Sequence, residues 1–187
     1  GIDIIISTLG LVLLSPLFIL VYLLTRIIDH ANPIFSQERL GQNLIPFKVY
    51  KFRSMNDDAE KLKSTMASET KNLFKLANDP RTTVLGRFLR RSCLDELPQL
   101  VNIFKGEMSL VGPRPHLEDE LEHYVGWRRK RFEVKPGLTG LWQVSGRHEL
   151  LFDRSVALDL LYIKNMSLVY DIKIIIKTIP SIIFSRG

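Results

Sequence analysis

From Ile4 to Thr25 the chain carries no charged side chain, and close to the middle of that run stands Ser15-Pro16. At about 1.5 Å per residue, a helix of this length reaches across the roughly 30 Å hydrocarbon core of a bilayer. A core helix of a soluble fold is a poor account of a run this long and this apolar, so membrane association constrains everything that follows. Pro16 has no N–H to offer the carbonyl of Val12, and its ring collides there, so a helix must kink or break at this point. The hydroxyl of Ser15 is placed to satisfy the freed carbonyl, which makes a break tolerable in lipid. A kinked spanning helix and a re-entrant helical hairpin both fit this pattern. No basic stretch precedes the run and no small-residue cleavage site follows it, unlike a typical signal peptide. Lys48, Lys51 and Arg53 follow closely, so the positive-inside rule predicts a cytoplasmic location for the rest of the chain.

That remainder has room for one domain, 187 residues being the whole length. A net charge of +6 and a pI near 9.5 point to anionic partners: nucleic acid, phosphorylated small molecules or an anionic lipid bilayer. No helix-turn-helix or zinc pattern supports nucleic acid. A single cysteine rules out an internal disulfide framework, and four scattered histidines argue against a structural zinc.

Asn32-Pro33 marks a turn, Ile34 to Gln37 begins a short strand, and Gly41-Gln42-Asn43 turns the chain into a second strand from Phe47 to Arg53. Asp57 to Leu76 reads as a weakly amphipathic surface helix that Asn78-Asp79-Pro80-Arg81 ends. Val84 to Arg91 is a short basic helix, and Leu117 to Val125 an acidic one. The run Arg128-Arg129-Lys130-Arg131, beside Trp127, suits contact with lipid headgroups. Pro136 to Arg147 is loop and strand, rich in glycine and in groups able to hold a base or a sugar. Two helices follow, Phe152 to Ile163 and Tyr170 to Phe184; the second is apolar around most of its circumference, a surface that a homodimer can use.

The chemistry concentrates in Arg90-Arg91-Ser92-Cys93-Leu94-Asp95-Glu96-Leu97-Pro98-Gln99. Pro98 is tolerated in a first helical turn, Ser92 stands at capping-box spacing from Asp95, and Leu97, Leu100, Val101 and Phe104 recur at helical spacing before Gly106. This predicts a helix starting at the dyad, with Asp95 near free N–H groups at the positive end of a dipole. Acidic first turns are usually plain dipole electrostatics. The nearby arginines make phosphoryl chemistry the alternative. Further along, Pro113-Arg114-Pro115 confines the backbone and pre-aims a guanidinium whose planar fork suits phosphate.

These segments, taken in order, resemble the bacterial sugar transferase family, the monotopic phosphoglycosyl transferases that act on polyprenyl phosphate. The likeness rests on Leu14-Ser15-Pro16, Lys51-Phe52-Arg53-Ser54-Met55, Asn78-Asp79-Pro80-Arg81, Leu94-Asp95-Glu96-Leu97-Pro98-Gln99-Leu100, Ser109-Leu110-Val111-Gly112-Pro113-Arg114-Pro115 and Pro136-Gly137-Leu138-Thr139-Gly140. It implies transfer of a sugar-1-phosphate from a UDP-sugar to undecaprenyl phosphate, with release of UMP, through a covalent aspartyl-phosphosugar intermediate and with Mg²⁺. Carried over, Asp95 is the nucleophile and a metal ligand, and Glu96 its partner. Arg90 and Arg114 bind phosphate, with Lys51, Arg53 and Arg147 as further substrate contacts. The resemblance makes Ser15-Pro16 the break of a re-entrant hairpin. The expected fold is α+β, mainly helical with a small β-hairpin, divided into a membrane-associated hairpin at 1–30 and a cytoplasmic catalytic domain with interfacial helices at 31–187. Cys93 departs from the small residue expected there, and with no histidine partner in view it is a poor nucleophile. The chain begins at the membrane segment without the basic residues that often precede it, so it is expected to be the catalytic module of a longer protein at the bacterial inner membrane. A membrane scaffold that has lost catalysis is the alternative; intact Asp95, Glu96 and Arg114 argue against it.

Overall fold

The computed structural model describes residues 1–56, 81–146 and 151–183; the helix read from Asp57 to Leu76, the break at Asn78-Asp79-Pro80, Arg147 and Phe184 lie outside them. Two helices, α1 (Ile2–Leu13) and α2 (Ser15–Ile28), meet at Leu14 with a bend of 60°. The Ser15 hydroxyl donates to the Val12 carbonyl at 2.8 Å, taking the place of the N–H that Pro16 lacks. No single helix among the described residues is long and apolar enough to cross a membrane.

Both outer ends of the pair are tied to the same protein body. The Leu110 N–H donates to Asp3 Oδ1 at 3.0 Å, and the Thr83 hydroxyl donates to Asp29 Oδ2 at 3.0 Å. That arrangement is consistent with a re-entrant or interfacial pair. The inner faces pack: Leu11 and Leu14 join Leu100, Ile103 and Met108, while Val21 joins Phe52 and Leu89. The outer faces leave Ile5, Leu9, Val12, Leu13, Ile19, Leu20, Leu23 and Ile27 exposed. So continuous an apolar surface suits lipid.

Two strands form the expected hairpin, β1 (Ile34–Leu40) antiparallel to β2 (Pro46–Phe52), in register from Ile34 opposite Phe52 to Leu40 opposite Pro46. The short helix α4 (Gln99–Phe104) packs between α1 and β2. Its Asn102 is fully buried and serves as a plug. Asn102 Oδ1 accepts from the Tyr50 N–H at 3.1 Å, and Nδ2 donates to the Lys48 carbonyl and the Glu107 carboxylate, each at 2.7 Å. The free edge of β2 is thereby satisfied beside Lys51.

Ahead of α4 lies α3 (Val84–Arg91), capped by Thr83, whose hydroxyl accepts the Gly86 N–H at 2.8 Å. Gly86 sits so close to the chain after β2 that a Cβ there would lie 2.0 Å from the Ser54 carbonyl oxygen. Gly86→Ala is therefore expected to destabilise the protein by about 3 kcal/mol or more, since backbone rather than a flexible side chain is in the way. Denaturant unfolding in detergent tests this, and unchanged stability would show that α3 is not seated on Ser54.

A second pair of strands is parallel: β3 (Ser109–Val111) beside β4 (Gly137–Thr139). The Gly137 N–H donates to the Pro113 carbonyl at 2.8 Å, and a Cβ on Gly137 would lie 2.0 Å from the Gly112 nitrogen. The two glycine-proline tags of the sequence are thus facing strands in contact. The helices α5 (Phe152–Lys164) and α6 (Leu168–Ile183) complete the fold, with Val156, Tyr162 and Ile174 buried. It is a mixed α+β fold, mostly helical, as expected.

Three local expectations need correction. The dyad does not start a helix. After α3 the chain passes through Cys93 in the left-handed region (φ 54), and Leu94–Glu96 makes a separate 3-10 turn ahead of α4. Ser92 belongs to the preceding helix, since its hydroxyl donates back to the Phe88 carbonyl at 2.8 Å. The acidic stretch after Leu117 is a 3-10 segment, Glu118–His123, rather than an α-helix. There the Glu120 carboxylate accepts the Leu117 N–H at 3.0 Å, a side chain competing for local backbone. In the basic run, Arg131 turns inward: it is 2% exposed, where a headgroup contact would need it at the surface.

Candidate active site

The turn Leu94–Glu96 presents its two carboxylates in different settings. Glu96 Oε1 takes an ion pair from Lys51 Nζ at 2.7 Å and a longer one from Arg114 Nη1 at 3.4 Å. Burial opposes ionisation of Glu96, but those two cations outweigh it and hold its carboxyl at about 2. Asp95 is buried at 9% exposure. Burial first, and then the charge of Glu96, push the Asp95 carboxyl up to about 6 against the pull of Lys51, Arg90 and Arg114. One carboxylate is a permanent anion holding two cations; the other titrates near neutrality. The structure thus gathers Asp95, Glu96, Lys51, Arg114 and the field of Arg90 into one site. Arg53 is held at the entry to the β-hairpin, where its Nε donates to the Asn32 carbonyl at 2.7 Å and its guanidinium lies over the Phe35 ring. Arg147 falls outside the described residues.

Arg114 is aimed by more than its flanking prolines. Arg131 Nη2 donates to the Arg114 carbonyl at 3.2 Å, and Arg39 Nη1 donates to the Pro115 carbonyl at 3.4 Å. Arg131 itself is paired with Asp159 at 2.7 Å, both almost fully buried, and its Nη1 donates to the Tyr124 hydroxyl at 2.7 Å. Tyr124 in turn meets His116 Nε2 at 3.0 Å, and His116 Nδ1 lies 2.6 Å from Glu120 Oε2. Burial lowers the His116 ring to about 4, so it is neutral at physiological pH. The hydrogen-bond network then assigns its proton to Nδ1, facing Glu120, with Nε2 accepting from Tyr124. A chain of side chains from Asp159 on α5 to Glu120 thus braces the Pro-Arg-Pro segment.

Can this arrangement host a dication? Among the described residues no group of three or more His, Cys, Asp or Glu side chains gathers. Mg²⁺ is commonly held by one or two carboxylates together with substrate phosphates, so a full protein cage is not required. Glu96 is committed to its cations, which leaves Asp95 as the carboxylate fitted to a metal.

A carboxylate pair, one member buried and the other half-buried, beside lysine and arginine on a body that carries an apolar bent helix pair, is suited to phosphoryl transfer at a membrane surface. The model of a family described as "Bacterial sugar transferase" matches residues 1–185. The chain belongs to the bacterial sugar transferase family. It is 45% identical to the exopolysaccharide production protein ExoY of Sinorhizobium fredii, covering 99% of this chain and 85% of that protein. It is 46% identical to the undecaprenyl-phosphate galactose phosphotransferase of Salmonella typhimurium and 43% identical to the undecaprenyl-phosphate glucose phosphotransferase of Komagataeibacter xylinus. Each of those alignments covers 99% of this chain but only 40% and 36%, respectively, of the relative.

Sequence reasoning about this sugar transferase passed over Arg39, Asn102, Tyr124, His116 and Asp159 as members of the site. Arg39 had a readable signal: it lies on a strand of the predicted hairpin, two residues on from Gln37, whose Oε1 accepts from its Nη2 at 2.8 Å. The others carried no local sign. Asn102 and Asp159 find Tyr50, Lys48 and Arg131 far along the chain, while His116, Tyr124 and Glu120 lie within eight residues of one another but around a 3-10 segment with no period to align them.

Proposed function

We propose that this chain transfers a sugar-1-phosphate from a UDP-sugar to undecaprenyl phosphate at the cytoplasmic face of the bacterial inner membrane, as the first committed step of an exopolysaccharide or related glycoconjugate. The observation that carries the reading is the split dyad: Glu96 clamped by Lys51 and Arg114, with Asp95 beside it, buried and titrating near neutrality. In the first step an Asp95 oxygen attacks the phosphorus that bears the sugar. The bond from that phosphorus to the bridging oxygen breaks, and UMP leaves with the oxygen. In the second, a phosphate oxygen of undecaprenyl phosphate attacks the same phosphorus and the Asp95–phosphorus bond breaks. The carboxylate is regenerated and the product is the lipid diphosphate sugar. Splitting the reaction lets two dissimilar substrates use one site in turn.

An anion attacking a diphosphate meets repulsion, so cations must surround the phosphates. Lys51, Arg90 and Arg114 supply part of that charge. A Mg²⁺ ion held by Asp95 and the substrate would supply the rest by neutralising diphosphate oxygens. Glu96, ionised from about pH 2 upward, is badly matched to general-base work at neutral pH. Its role is to hold Lys51 and Arg114 in place beside Asp95.

The test is acceptor-free turnover. UDP-sugar alone should release one equivalent of UMP, and the protein should gain the mass of one sugar phosphate; UMP that appears only with acceptor would overturn the covalent reading. UDP-galactose and UDP-glucose head the panel, since two of the relatives are named for those sugars. The pH profile is a further prediction. Because the Asp95 carboxyl sits at about 6, the rate of this first step should fall about tenfold for each pH unit below that value and level off above it. A flat profile between pH 5 and pH 7 would remove Asp95 as the titrating nucleophile.

A further inference from the structure

Successive carbonyls from Pro113 to His116 each receive a donor. Pro113 takes the Gly137 N–H at 2.8 Å, Arg114 takes Arg131 Nη2 at 3.2 Å, Pro115 takes Arg39 Nη1 at 3.4 Å and His116 takes the Leu40 N–H at 2.8 Å. Pro113 and Pro115 have no N–H, so these carbonyls are the handles by which neighbouring elements hold the segment. Two of the donors come from consecutive residues at the end of β1, Arg39 by its side chain and Leu40 by its backbone.

The hairpin carries Arg39 on the same face as Lys51. Phe35 stands opposite Lys51, Gln37 opposite Val49 and Arg39 opposite Phe47, and side chains at every second position share a face. That face is turned inward: Ser36 and Glu38 are exposed, while Phe35, Gln37 and Arg39 are half-buried. Lys51 holds Glu96, Arg114 reaches the same Glu96 oxygen, and Arg39 holds the carbonyl one residue beyond Arg114. The circuit is closed. One rigid hairpin grips both partners of the Glu96–Arg114 contact, at points roughly 13 Å apart by the usual rise of a strand.

Gln37 Oε1 accepts from Arg39 Nη2 at 2.8 Å, which fixes the guanidinium from the next position on the same face. Burial, and then the charge of Arg114, act against the Arg39 cation, while Glu120, Asp119 and Glu96 act for it. A neutral amide could donate to the Pro115 carbonyl without repelling Arg114. Local costs of this kind are expected chiefly at functional sites. Here the repulsion has a use, since it disfavours any pose that swings the Arg114 guanidinium away from Glu96 towards β1. We propose that Arg39, oriented by Gln37, is a positioning residue that holds the Arg114 fork in place for the diphosphate of the donor, through the Pro115 carbonyl and by like-charge repulsion, without touching the substrate. The inference rests on the transfer reaction proposed above and assigns the β-hairpin the task of setting the phosphate site's geometry.

Coupling to Arg114 tests it, on the full chain in micelles. Arg39→Met keeps the length of the side chain but neither its donors nor its charge. It should lower kcat/KM for UDP-sugar in acceptor-free UMP release about ten- to a hundredfold, the range for a binding group misplaced by up to about 1 Å. In an Arg114→Gln background the fork is already gone, so the same change should cost about twofold or less. A merely structural Arg39 would cost the same in both backgrounds. Equal costs would overturn the assignment, and so would an unchanged rate in the single variant. Should Arg39→Met fail to fold, Gln37→Leu releases the guanidinium with Arg39 still present. Its expected cost is about threefold or more, again lost in the Arg114→Gln background, and the same two outcomes count against it. A wild type that released UMP only with acceptor would sink the covalent reaction instead. The Arg39 comparison would then be made on the complete reaction, so the two failures are distinguishable.

Discussion

Asp95→Asn is expected to leave the protein folded and more stable while reducing UMP release by at least about a thousandfold. The loss of rate follows from removing the oxygen that the proposed first step uses for attack. The gain in stability follows from burial. The folded chain raises the Asp95 carboxyl from its ordinary value near 3.8 to about 6, so between those values it binds more protons than the unfolded chain. Stability must then fall as pH rises through that window, with the full penalty present above about pH 6. A displacement of this size costs up to about 3 kcal/mol at neutral pH. Asparagine fills the same space without the charge, so the variant should melt above the wild type at pH 7, with the advantage shrinking toward pH 4. Thermal unfolding of both proteins across that range checks the sign. Coincident curves at pH 7 would mean that Asp95 is not held under electrostatic strain, and a retained rate would mean that it is not the nucleophile.

What the sequence revealed and what it hid divide along the range of the interactions. The Ser15-Pro16 break was legible because its cause is local: a missing N–H, a blocked carbonyl and a hydroxyl within reach, realised as the bond from Ser15 to Val12. The β-hairpin was legible for the same reason, through a turn between two runs of strand formers. The start of α4 misled because Ser92, Asp95 and Pro98 satisfy a helix-start pattern in the abstract. Here Cys93 takes a left-handed conformation that ends α3 and sets the dyad on its own turn. Glu96 then meets Lys51 across 45 residues of chain. That pairing depends on α4 docking against β2 through Asn102, a tertiary event with no sequence period. Composition left the geometry of the bent pair open, and two long-range bonds, at Asp3 and Asp29, tie both of its outer ends to one body, an arrangement consistent with a re-entrant pair. The basic run after Trp127 looked uniform, yet one of its four cations, Arg131, is buried, and charge alone could not say which.

Arg131→Ala should be the most damaging single change away from the carboxylate dyad. Removing the guanidinium leaves Asp159 buried without its partner, a condition that typically costs about 3–5 kcal/mol. Burial already holds the Asp159 carboxyl above its ordinary value against the pull of Arg131. The pair is therefore a weak stabiliser in itself and a strong liability when halved. Replacing both members, as in Arg131→Met with Asp159→Leu, should return most of the lost stability, because no unpaired charge remains. It should not return activity. The Arg114 carbonyl would still lack the donor that Arg131 supplies at 3.2 Å, and Tyr124 would lose its contact with the guanidinium. Arg114 would then be free to drift from Glu96, and a phosphate-binding fork displaced by about 1 Å can cost a hundredfold in rate. Denaturant unfolding and the acceptor-free UMP rate, measured on both variants, separate the two roles. Recovery of stability together with rate would make the pair merely structural. Recovery of stability alone, with the rate still depressed and the KM for UDP-sugar raised, marks Arg131 as the residue that positions Arg114 for the phosphate.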